Sequence, residues 1–227
     1  MGTSKGYIAP TTIHWSKSKR AVTGFIKNGD NDSKIKAASR FAEAMKQDIS
    51  SSASFISATG KILSFINNAS SIGLNNALQQ IDRLDLIDKE PGEVLDALLN
   101  HFTNNGNTVE DYLAAQAIGE AFSNLKIENI ADINNISTEA FLIEVLAEYI
   151  KFSFEFRYSE KIAKGRTIAE AKEILAKMQE YISNKIHFEF KDKLKYISFE
   201  NLKTDDYVEF ALKEALELFL DFYENGD

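Results

Sequence analysis

The stretch Ser137 to Gly165, STEAFLIEVLAEYIKFSFEFRYSEKIAKG, decides the fold class. Ser137 can cap a first helical turn, and Phe141, Leu142, Val145, Leu146, Tyr149 and Ile150 follow at three- and four-residue spacing. Gly165 supplies the stop, so the pattern predicts one long helix to about Lys164. Tyr149, Phe152, Phe154, Phe156 and Tyr158 cover several faces of that helix. No single seam takes them all: they are buried from two sides, or part of them forms an aromatic patch for another protein.

Helical signals continue outward in both directions. Downstream, Thr167-Ile168-Ala169-Glu170 has the form of a capping box and starts a helix reaching at least His187, and a final acidic helix is expected from Asp205 to Tyr223. Upstream, Thr108 to Asp111 opens a helix to about Leu125, and Pro91 sits in the first turn of another with Val94, Leu95, Leu98, Leu99 and Phe102 as its stripe. Ile127 to Ile136 reads as a connector lying against the core, and Leu74 to Leu84 as a short helix. A Ser- and Ala-rich helix is predicted from Ser50 to Ser71, loosened near Gly60. Two basic amphipathic helices precede it, from Ser16 to Lys27 and after a cap at Asp32 or Ser33. Alternation of the strand type runs nowhere for more than a few residues, and only two prolines interrupt 227 residues. The fold class is all-α, a multi-helix bundle.

Residues 1–14, with two glycines, a proline and no helical period, read as a flexible N-terminal arm. Residues 15–72 form the basic N-terminal helices and 73–227 an acidic helical body, packed together as one domain. Residues 1–72 carry ten Lys and Arg against four Asp and Glu, a balance of +6 within a net charge of -8. That asymmetry suits docking of the two parts or of an acidic partner. It also suits a nucleic-acid-binding helical module using Lys17, Lys19, Arg20, Lys27, Lys34, Lys36 and Arg40.

Chemistry is sparse. Without cysteine there is neither a disulfide nor a thiolate, and the N-terminus lacks the apolar run of a signal or membrane span, so a cytoplasmic location is expected. His14, His101 and His187 have no ligand-like spacing and read as structural; no metal or cofactor is expected. No phosphate-binding loop, nucleophile elbow or zinc motif occurs, and carboxylate pairs such as Asp205-Asp206 belong to a helix face. The chain is read as a non-enzyme. Trp15, the one tryptophan, stands between arm and first helix, as a packing anchor or a partner contact.

The opening Met1-Gly2-Thr3-Ser4, the arm, the tryptophan with its basic helix, Gly92 to Leu99 and Ala114 to Ala117 resemble the QatB family of Qat anti-phage defence systems. The arm departs from the family pattern in having Gly6-Tyr7-Ile8-Ala9-Pro10 in place of a more glycine-rich stretch. The resemblance implies companions in the same operon: an ATPase, a QueC-like enzyme and a TatD-like nuclease. It further implies that Gly2 is a site of N-terminal modification and that Gly2, Thr3, Ser4 and Trp15 meet a partner. Gly2 is small enough for Met1 to be removed, which leaves a glycine α-amine whose pKa near 8 makes part of it a neutral nucleophile. Myristoylation fits less well, because Gly6 stands where Ser or Thr belongs.

Overall fold

The structure, a computed structural model, describes residues 11–128, 132, 137–194 and 203–220. Among these it is all-α. The first two helices form a hairpin, α1 (Ile13–Asn28) and α2 (Asn31–Gln47). Thr12 caps α1 by accepting from Trp15 N, so the helix starts inside the expected arm, and Gly29 ends it at φ 69°. The cap of α2 is Asp30, not Asp32 or Ser33: with Gly29 left-handed, the chain is already extended at Asp30, whose Oδ1 accepts from Ser33 N at 2.7 Å.

A 3₁₀ turn at Ile49–Ser52 leads into α3 (Ala53–Ile72), followed by α4 (Leu74–Gln80). The latter is shorter than expected, and a separate 3₁₀ turn covers Leu84–Leu86. Then come α5 (Pro91–Phe102), α6 (Val109–Asn124), α7 (Thr138–Ala163) and α8 (Ile168–Asn184). Capping boxes form at Thr108/Asp111 and Thr167/Glu170, and Ser137 caps α7. A π-turn at Lys185–Phe190 joins α8 to α9 (Lys191–Leu194), and α10 (Thr204–Glu217) ends short of Tyr223. Most of the Ile127 to Ile136 connector, and residues 221–227, lie outside the described residues; Ile127 itself is buried.

The long helix is the axis of the molecule. From Phe141 to Ile150 every residue of α7 except Glu144 is buried, which is how a helix enclosed on all sides reads. Helices α2, α3, α6, α8 and α10 surround it: Phe55 of α3 stacks on Tyr149 with ring centroids 3.8 Å apart, and Phe41 of α2 meets Phe154 edge-on at 5.2 Å. Tyr149, Phe154 and Tyr158 are buried while Phe152 and Phe156 are half-buried against the same core, so the aromatic run is taken up from several directions. No described helix is long and apolar enough to cross a membrane.

Gly60 does not loosen α3. It lets the first turn of α10 approach: a Cβ there would lie 3.2 Å from the backbone nitrogen of Asp205 and run into its side chain. Burial also pushes the Asp205 carboxyl above the usual range, opposed by Lys61 and reinforced by Asp206. Gly60→Leu is therefore expected to destabilise by about 1–3 kcal/mol through overpacking, read as a lower thermal midpoint by circular dichroism. Gly24→Leu on α1, where a Cβ meets open space, should hold or raise that midpoint.

Candidate functional site: the root of the N-terminal arm

Gly2, Thr3 and Ser4 lie outside the described residues; what the structure defines is the point from which the chain before Thr11 departs. Thr12 is extended, at φ -62° and ψ 161°, and α1 begins at once behind it. Ile13 remains 64% exposed, and two residues further Trp15 is only 5% exposed. Its indole Nε1 donates to Asp48 Oδ2 at 3.0 Å, the Arg157 guanidinium lies 3.8 Å above its ring, and Phe41 closes the apolar side at 6.0 Å. A cation over a desolvated tryptophan is among the stronger contacts of this kind. Three elements, α2, the turn after it and α7, thus grip one side chain of α1.

Trp15 is consequently buried as a packing anchor, its ring turned inward toward Phe41. Two further ties hold α1 from the same side. The Ser18 and Tyr158 hydroxyls are 2.6 Å apart in the core, and His14 Nδ1 lies 3.2 Å from Glu43, which also accepts from Arg40 at 2.7 Å. Burial opposes the charge on Glu43, but Arg40, His14 and Lys17 together hold its carboxyl below the usual range.

A second polar cluster lies nearer the start of α7 and was not legible as a unit. His187, on the π-turn, has Nδ1 2.8 Å from the Ser183 carbonyl and Nε2 2.7 Å from Glu144 Oε2. Glu144 only accepts, so Nε2 donates to it, whereas Nδ1 also has the Ser183 hydroxyl at 3.2 Å and can donate to the carbonyl or accept from that hydroxyl. Asn124 Nδ2 bridges Glu144 and Glu148, and Lys151 reaches Glu148 at 2.7 Å. The bond to Glu144 raises the pKa of His187, and the bond to His187 lowers that of Glu144. Stability from His187 is therefore full below its ordinary value of 6.5 and lost as pH rises through the raised folded value. That from Glu144 is full above its ordinary 4.5 and lost as pH falls through the lowered one. The urea midpoint of the wild type relative to His187→Gln should thus be most favourable between these two values and shrink above neutrality. A difference that keeps growing as pH rises above neutrality would contradict the assignment.

This pair borders an open cavity of about 440 Å³, but the only hydroxyl lining it, that of Ser137, is committed to capping α7. His101 lies edge-on to Phe102. Asp205 and Asp206 occupy the first turn of α10. Among the described residues no group of three or more His, Asp or Glu could hold a metal ion.

The family model described as Qat anti-phage system associated protein QatB matches residues 42–219, from the end of α2 through α10. The arm and α1 with Trp15 precede the matched segment, whereas Asp48 and Arg157, which hold Trp15, lie inside it. No curated protein and no solved structure matches the chain. With well over half its length covered, and the segments Gly92 to Leu99 and Ala114 to Ala117 inside the match, the chain belongs to the family of QatB proteins associated with Qat anti-phage systems.

Proposed function

We propose that this chain is a non-enzymatic component of its defence system, working in the cytoplasm as a partner and substrate of proteins from the same operon. Its reactive end is the Gly2 amine, acceptor for a QueC-like enzyme; an ATPase and a TatD-like nuclease complete the set. The observation that carries this reading is the anchored Trp15 immediately behind a chain that opens Met1-Gly2-Thr3-Ser4. An end that must enter another protein's cleft benefits from a fixed point of departure, since fewer orientations are lost on docking. The chemistry is amide formation: an ATP-activated deazapurine carboxylate is attacked by the neutral glycine amine, adenylate leaves and the amine loses a proton. Thr3 and Ser4 add hydroxyls for hydrogen bonding without bulk.

Intact-mass spectrometry of protein co-expressed with the operon tests this. The wild type should lack Met1 and carry an adduct on Gly2; Gly2→Glu should keep Met1, carry no adduct and retain its helical spectrum. An unmodified wild-type end, or an adduct persisting equally in the variant, refutes Gly2 as the acceptor.

A further inference from the structure

Between α1 and α2 runs an open groove of about 500 Å³, lined by Lys17, Arg20 and Gly24 from one helix and Ser33, Lys36 and Arg40 from the other. Lys17 and Arg20 are three residues apart and Lys36 and Arg40 four, so each helix turns two cations to the same cleft. Among the described residues no carboxylate is within salt-bridge distance of Lys17, Arg20 or Lys36. The acids nearby are accounted for: Glu43 is shared by Arg40 and His14 at one end, and Asp30 caps α2 at the other. With Arg40 paired to Glu43, Lys17, Arg20 and Lys36 still gather like charge in one concavity and focus a positive potential there.

The rest of the lining restricts the ligand. Ala21 is its one apolar side chain and it contains no aromatic ring, so there is no platform on which a nucleobase would stack. Nor is there a pocket for the apolar anchor on which protein interfaces rest, and lysine is depleted at such interfaces. A row of phosphates asks only for cations and clearance. Gly24 gives the clearance, since no atom lies within 4 Å of where its Cβ would be. The structure also sorts the basic residues of these helices. Lys34 stands over the Tyr181 ring at 5.3 Å, and Lys19 and Lys27 are outside the groove lining.

We propose that the α1–α2 groove is a binding site for a short run of phosphates, held by Lys17, Arg20, Lys36 and Arg40 over a floor opened by Gly24. The run comes from a nucleotide's phosphate chain or from a nucleic-acid backbone. The site is independent of the Gly2 reading, because none of its residues enters that reaction.

Fluorescence anisotropy of the full chain with a labelled 12-nucleotide thymidine strand tests it, with tripolyphosphate, ATP and polyglutamate as competitors. Binding should saturate, and log affinity should fall against log salt with a slope of about -3 if four cations engage. Lys17→Glu/Lys36→Glu should lose about 100-fold, by the counterion argument, whereas Lys19→Glu/Lys27→Glu, with the same charge change, should lose less than about threefold. Gly24→Leu, which fills the floor without removing charge, should lose about tenfold with an undiminished thermal midpoint. Displacement by tripolyphosphate and ATP at micromolar concentration assigns a free phosphate chain; displacement only by unlabelled strand assigns the backbone. Absence of saturable binding, equal losses in both double variants, or displacement by polyglutamate as readily as by tripolyphosphate overturns the proposal.

Discussion

Phe41→Ala is expected to destabilise the protein by about 3–5 kcal/mol, the range for removing a fully enclosed aromatic side chain. Phe41 is 1% exposed and lies where α1, α2 and α7 meet. Its ring is edge-on to Phe154 at 5.2 Å and to Tyr158 at 6.0 Å, and 6.0 Å from Trp15. Truncation removes partners from three rings at once, and these belong to helices that cannot all close on the cavity. For a chain of this length the midpoint should fall by roughly 10 °C in a thermal melt. Because Trp15 loses its apolar wall, hydrogen exchange in the first turns of α1 should rise more than in α6, which supplies none of the rings around Phe41. Equal loss of protection across the molecule would show that the root has no local stability of its own.

Lys151→Met should cost a comparable amount, about 3 kcal/mol, for an electrostatic reason. Glu148 is 2% exposed, and among the described residues its carboxylate is paired with one cation, Lys151, with the Asn124 amide as a further donor. Methionine preserves the stem of the side chain but leaves a buried charge uncompensated, the situation in which removal of one partner is most damaging. Lys151→Met/Glu148→Leu should recover most of the loss, because the orphaned charge goes as well. Urea denaturation of the two single variants and the double variant closes the cycle. A double variant no more stable than Lys151→Met would mean that Lys151 acts by packing and not by charge.

The helices were legible in the sequence because their signals are local. Thr108 and Thr167 cap helices with acids three residues on, and Ser137 and Gly165 bracket α7; each device is complete within four residues of chain. Gly60 misled because propensity describes an isolated helix, while here the glycine makes room for α10, about 145 residues away in sequence. The π-turn left a trace that went unread. Met178, Ile182, Ile186, Phe190 and Leu194 are buried at strict four-residue intervals. On a regular α-helix each such step drifts by about 40°, which would carry Leu194 away from the core. One wide turn restores the alignment.

The polar clusters were not legible because their partners are remote. Trp15 could be read as an anchor, but Asp48 and Arg157 lie 33 and 142 positions downstream, and only the fold makes them neighbours. Likewise Glu148 and Lys151 form a recognisable helical pair, whereas Asn124 reaches Glu148 from α6 and His187 reaches Glu144 from the π-turn.

Both clusters are mounted on α7. Glu144 and Arg157 are thirteen residues apart on one uninterrupted helix, about 20 Å along its axis. A continuous α-helix of this length is one stiff rod between the two clusters. His187 on the π-turn and Trp15 on α1 are thereby tied to opposite ends of one ruler, and α7 sets the distance between them.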